Sequence, residues 1–511
     1  MSHLSSFNEA PWKSEALHKK YTKSFLHLSP LPEVATGEIL LASLYRNVGF
    51  SGVISERQPP VLGRKLTRNL DKRKRPNGAE SAIDIDDDLW NQIVTRSITS
   101  PKQTNQSKKQ FLQLSPLVPD STIYSMSARL AGNPWNPGKL IAKMISMGTD
   151  DKVDALYLWQ EIFDKLSVTE DDDIWAQLIQ KEFTTWREKE FVGTWSRPNH
   201  LPLKEDEIFG NLSLQNPALQ FVKDLKIVLA LKNYLTRRQW ISMVESLCRI
   251  AACSHVMWLC TINKKISSML EQALSEGKHF NEEEVKYELS QNDNFWSLEQ
   301  PTNKTIEATV RGYILGRCSI NLILCNISDN DYFDDNAVIL SSPQKITQTL
   351  NHLAKQYKYF DYPAYRENYR SILDMEPKIT ACKKGTSKNI LEFISYVVRQ
   401  RQTSEAGLES YDQGYFLRKK GAYSSAPWVV GLGPTALLLM VHCTAAQTEG
   451  PCTIADLIKQ LSFYGLEAEI QQDSNSTFYK LLRSLGLVIE SPDAEGGMVI
   501  NTPFKIGNSN E

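Results

Sequence analysis

Positively charged side chains are the best-patterned chemistry in this sequence. Eight of them, Arg57, Arg64, Lys65, Arg68, Lys72, Arg73, Lys74 and Arg75, lie between positions 56 and 80, with no aromatic residue among them. Lys and Arg on a polar, proline-containing stretch suit a polyphosphate backbone, which asks for charge rather than a fixed shape. Without an aromatic ring such an arm has nothing to stack on a base. The same stretch reads as a solvated linker, and Lys72-Arg73-Lys74-Arg75 also reads as an import signal. A second basic run, Arg418-Lys419-Lys420, follows Tyr415-Phe416 and precedes 421–448, which contains no Asp, Glu, Lys or Arg. It is expected to be an ordinary connector, or else to set three cations beside the C-terminal end of the chain.

Carboxylates cluster twice, at Asp84, Asp86, Asp87 and Asp88, and at Asp329, Asp331, Asp334 and Asp335. Hard cations bind such oxygens, but neither cluster has the glycine and closing glutamate of an EF-hand loop. A helix start and a solvated loop are the plainer expectations. His255 and His442 sit on apolar helical faces and are expected to be satisfied core residues. No phosphate-binding G-x-x-x-x-G-K, dinucleotide G-x-G-x-x-G, H-E-x-x-H or G-x-S-x-G occurs. No catalytic residue, metal ligand or cofactor is therefore expected, although a nuclease with dispersed carboxylates would leave little local trace.

The elements that must position these groups are mostly helices. At 511 residues the chain exceeds one core, and two to four domains are expected. With 58 basic and 59 acidic residues, any nucleic-acid affinity must come from local patches. None of the eight cysteines forms a C-x-x-C pair, which fits reduced, buried thiols in a cytoplasmic protein. The first twenty residues lack an apolar core of the kind that directs secretion. The charge-free 421–448 is broken by Pro427 and Pro434, too short to span a bilayer, so no membrane partner is expected.

Spacing divides the chain into a loosely organised region 1–120 with its basic linker 56–80, a helical body 121–404, a connector 405–427, a C-terminal unit 428–506 and a tail 507–511. Helical patterns fall at 89–96, 138–147, 305–325, 344–357 and 388–402. The clearest starts at Thr236, where Thr236-Arg237-Arg238-Gln239 forms a capping box. It runs 25–33 residues, or as two helices meeting near Cys253. The fold class expected is mainly α.

The C-terminal unit reads as helix (434–446), helix from Thr453, helix from about Ser474, then LVIESP, the turn DAEGG and MVINTPF. This order resembles a winged-helix domain. The resemblance implies that the third helix turns Asn475, Ser476, Thr477, Tyr479, Lys480 and Arg483 outward and Phe478, Leu481, Leu482 and Leu485 inward. Such a helix can enter a major groove. Yet 449–505 holds four basic and eight acidic residues, net −4, which opposes a phosphate backbone. Docking of a protein is therefore the leading expectation for this unit.

The whole is expected to be a non-catalytic adaptor or subunit of a nucleic-acid-handling assembly, with protein partners and DNA contact through the basic arm. Its general look is similar to accessory subunits of bacterial defence or DNA-processing systems. A sequence-specific transcription regulator and a metal-dependent nuclease are the alternatives.

Overall fold

The fold is organised around one long helix. The structure, a computed structural model, describes residues 2–28, 31, 35–50, 63, 66, 86–100, 114–125, 136–186, 193–290, 295–401, 412–421, 423, 425–468, 476–489 and 498–504. Its main helices are, in chain order, α1 (His3–Glu9), α2 (Gly37–Gly49), α3 (Asp87–Ile98), α4 (Pro137–Gly148), α5 (Lys152–Leu166), α6 (Ile174–Thr185), α7 (Pro217–Ala230) and α8 (Arg237–Glu276). There follow α9 (Glu282–Ser290), α10 (Asn303–Ser328), α11 (Pro343–Lys355), α12 (Tyr362–Met375), α13 (Gly385–Val398), α14 (Pro434–Gln447), α15 (Ile454–Ser462) and α16 (Thr477–Ser484). The protein is mainly α, and its described strands are two or three residues long.

Helix α8 opens with the capping box read from sequence: the Gln239 amide donates to the Thr236 hydroxyl, and the Gln239 side chain accepts from the Thr236 amide at 3.1 Å. It closes at Gly277, whose φ of 65° favours glycine. Between them it is one unbroken helix of 40 residues, roughly 60 Å long. The expected 25–33 residues, or a break at Cys253, is thus corrected. The apolar stripe that marks a helix by its period disappears where all sides are covered, so the pattern ends before the helix does. From Met243 to Asn263 every residue is buried.

Around α8 pack α2, α4, α7, α10, α11, α13 and α14. Helix α10 comes closest. A Cβ on Gly316 would sit 2.6 Å from the Asn263 carbonyl oxygen, so only glycine fits at this crossing. Helix α8 is also long and apolar enough to cross a membrane, and its most apolar window is wholly buried inside the protein.

Parts of 1–50 differ from the loose region expected. Phe7, Tyr21, Phe25 and Leu26 are fully buried, and the Tyr21 hydroxyl donates to Asn263 at 2.8 Å. The acidic loop after α10 helps anchor them. The Asp329 carboxylate accepts the His3 and Leu4 amides at the start of α1, and Asp335 pairs with Lys20 at 2.9 Å. All eight cysteines are unbridged and buried.

The strands join the C-terminal segment to the body. β1 (Trp296–Ser297) pairs in parallel with β4 (Leu466–Glu467). β2 (Leu417–Lys419) and β3 (Trp428–Val430) form an antiparallel hairpin, and single bridges tie β3 to Leu298 and Pro301. β5 (Val488–Ile489) pairs antiparallel with β6 (Val499–Ile500), and Val499 bridges to Thr453 ahead of α15. Helices α14, α15 and α16 thus precede one short antiparallel pair. Apolar side chains from Phe7 to Ile500 belong to one contiguous core.

Candidate nucleic-acid interface

Hairpin β2–β3 alternates its cations. Its register sets Arg418 opposite Val429 and Lys419 opposite Trp428, so Arg418 and Lys419 emerge on opposite faces. Arg418 reaches toward α16, where its guanidinium donates to the Thr477 hydroxyl at 3.3 Å. Gly431 makes room for it, since a Cβ there would come 3.0 Å from the Arg418 Nε. Lys419 lies 6.0 Å from the centre of the Trp428 ring. Arg399, just past α13, has its guanidinium 4.4 Å from the same ring and 4.3 Å from that of Tyr396. Burial holds the Arg399 pKa below its ordinary value, partly offset by Tyr396. Lys420 is exposed and its amide closes the hairpin onto the Pro427 carbonyl at 2.9 Å.

The base of this hairpin is held by a buried ion pair. Arg249, in the middle of α8, donates to both oxygens of Asp412, at 2.8 and 3.3 Å. It also donates to the Val397 and Arg399 carbonyls, at 2.7 and 2.9 Å. The Arg401 amide donates to Asp412 at 2.7 Å, and burial beside Arg249 lowers the Arg401 guanidinium to about 10. Asp412 is fully buried. The expected plain connector is in fact pinned to the central helix at its first described residue.

Helix α16 presents a polar outer side and a blocked start. Ser476 caps it by accepting the Tyr479 amide at 3.1 Å. The Thr477 and Phe478 amides donate to the Glu299 carboxylate at 2.7 and 3.3 Å. A carboxylate therefore sits at the positive end of the helix dipole. Thr477, Lys480 and Arg483 are exposed. Tyr479 is not: it is 8% exposed, and its hydroxyl contacts the Met498 sulfur. Placing Tyr479 on the outer face is corrected; its ring packs inward while the Arg483 guanidinium lies 4.7 Å above it. Among the residues expected inside, Leu482 is fully buried, and Phe478, Leu481 and Leu485 are half-buried.

The inner side of this region meets α7 through a second buried carboxylate. Asp224 accepts hydrogen bonds from Gln220 (2.9 Å), Gln447 (2.7 Å), Gln460 (2.8 Å) and the Tyr464 hydroxyl (2.5 Å). Burial raises its pKa and these four donors pull it back, with burial the stronger.

Of the cations expected from sequence, the structure brings Arg418, Lys419, Lys420, Lys480 and Arg483 to the hairpin and α16. Arg64, Lys65, Arg68, Lys72, Arg73, Lys74 and Arg75, and also Asn475, lie outside the described residues. His255 and His442 are buried as expected, and among the described residues neither ring makes a hydrogen bond. Among the described residues no three His, Cys, Asp or Glu side chains converge as metal ligands would. Two clefts of about 400 and 370 Å³ flank the start of α8 and are lined by none of the cations of the hairpin or α16.

Glu299, Asp412, Arg249 and Asp224 were not expected from sequence, and the farthest partner of each is 163 to 240 positions away. One signal was present for Arg249: an arginine inside an apolar helical run implies a buried acceptor. No family model, no curated protein and no solved structure matches this chain.

Proposed function

We propose that this protein is a non-catalytic subunit of a nucleic-acid-handling assembly, and that its C-terminal face grips phosphate backbone without reading sequence. The carrying observation is the 3.3 Å hydrogen bond from Arg418 to Thr477. It brings Arg418 to the helix that carries the exposed Lys480 and Arg483, so that cations from two segments meet there, while Lys419 lies on the other face of the hairpin beside Trp428. No acidic residue occurs from 413 to 448, so the hairpin brings positive charge to a unit that is net negative alone. Counted with the three hairpin cations the unit moves from net −4 to net −1, which lessens the opposition to phosphate, and phosphate binding is driven by local cations. The order of α14, α15, α16 and the β5–β6 pair supports reading the unit as a winged helix. The helical body would serve as the scaffold that meets protein partners.

Glu299 weighs against the transcription-regulator alternative. Groove-reading helices bring their first residues to base edges, and here that end is bound to a carboxylate of the same chain. The test is fluorescence anisotropy with a labelled 30-mer of arbitrary sequence. The triple change K419E, K420E and K480E is expected to weaken binding more than ten-fold, with no dependence on sequence. Unchanged binding, abolished only on deleting 57–75, would assign all of the affinity to the arm and refute this reading of the C-terminal face.

A further inference from the structure

The face just described is not cationic alone; aromatic rings alternate with its charges. Tyr396, Arg399, Trp428 and Lys419 form a ladder in which each ring has a cation within 6.0 Å of its centre. The guanidinium between Tyr396 and Trp428 fixes the indole in place. Beyond it, at the hairpin tip, Tyr423 is 59% exposed. The tip is shaped to carry it. Gly421 has a φ of 127°, and a Cβ there would meet the Tyr423 ring at 2.9 Å, so the ring lies against a bare backbone.

Rings held between cations gain nothing from a duplex, whose bases are stacked inside. They do gain from a single strand, where each base offers a face and each nucleotide a phosphate. The one element of this face with the form to enter a groove, the start of α16, is closed by Glu299. We infer that hairpin β2–β3 is a binding site for single-stranded nucleic acid. Tyr423 and Trp428 stack on bases, while Lys419, on the Trp428 face, and Lys420, at the tip, hold the backbone. The inference rests on the phosphate-binding reading above and names its substrate class.

The test compares a labelled 20-nucleotide oligothymidylate, the matching oligouridylate and a 20-base-pair duplex at one salt concentration, using the full chain. At least one single strand is expected to bind about ten-fold tighter than the duplex, as stacking of about one base predicts. Tyr423→Ala is expected to remove most of that preference and leave duplex binding unchanged. Tyr423 is exposed, so its loss should not disturb folding, which circular dichroism checks. Quenching of tryptophan fluorescence by the oligothymidylate, reduced in Trp428→Phe, would support the stacking directly. Equal affinities with Tyr423→Ala silent would overturn this inference and leave the phosphate reading standing. No binding of any probe would remove both.

Discussion

Asp412 and Asp224 are both sealed from water, and they hold the C-terminal part of the chain in opposite ways. Asp412 faces the Arg249 guanidinium, so its charge is matched by a charge. Asp224 faces three glutamine amides and a phenol, so its charge is met by neutral donors. The first clamps the hairpin root to the central helix. The second ties α14, α15 and the loop at Tyr464 to α7. Removing one partner of a matched buried pair is strongly destabilising, because it leaves the other charge buried and uncompensated. A buried carboxylate whose pKa is raised makes stability respond to pH. The cationic hairpin is thus mounted on the charge-matched attachment of the two.

The largest effect is expected from breaking the clamp. Asp412→Ala leaves Arg249 buried without its nearer carboxylate, with Glu245 at 3.6 Å, and should lower unfolding stability by about 3–5 kcal/mol in urea. Replacing both partners by apolar residues of similar size should recover most of that loss. If the single change is harmless, the clamp does not bear on the fold. At the other attachment, Tyr464→Phe removes one of four donors from a buried carboxylate and should cost about 1–3 kcal/mol by the same measurement.

The pH response separates the two sites further. Unfolded aspartate loses its proton near 3.9, whereas burial raises Asp224 above that. Between the two values the folded protein binds more protons, so its stability falls as pH rises. Asp224→Asn cannot titrate. It should therefore gain on the wild type as pH climbs from about 4 toward neutrality, in denaturation curves taken across that range. Parallel curves would show that Asp224 is not raised. The smallest effect is expected at Glu299. Glu299→Gln weakens a helix cap at about 0.5–2 kcal/mol, and removal of its charge should slightly tighten oligonucleotide binding.

Much of this fold was legible because helical period and caps are local. The capping box at Thr236, the helix at 138–147 and the order of the last three helices all lie within short windows of sequence. The site was legible only in part. Arg418, Lys419, Lys420, Lys480 and Arg483 stand out as cations, but nothing local says that Arg418 meets Thr477, 59 positions on. Tyr479 was misplaced because a polar tip on an aromatic ring fits either side of an amphipathic helix; here the hydroxyl finds the Met498 sulfur inside. Asp224 was invisible, since one acid within α7 looks like a solvated face until Gln447, Gln460 and Tyr464 close over it.

Phosphate contact by the hairpin and α16 is tested directly by salt dependence. Oligonucleotide affinity should fall linearly in a plot of log K against log salt. Removing Lys419, Lys420 and Lys480 together should flatten that slope by about two to three, near one for each phosphate no longer neutralised. An unchanged slope in that triple variant, with the wild-type slope intact, would mean that these side chains touch no phosphate, and the proposed role would be wrong.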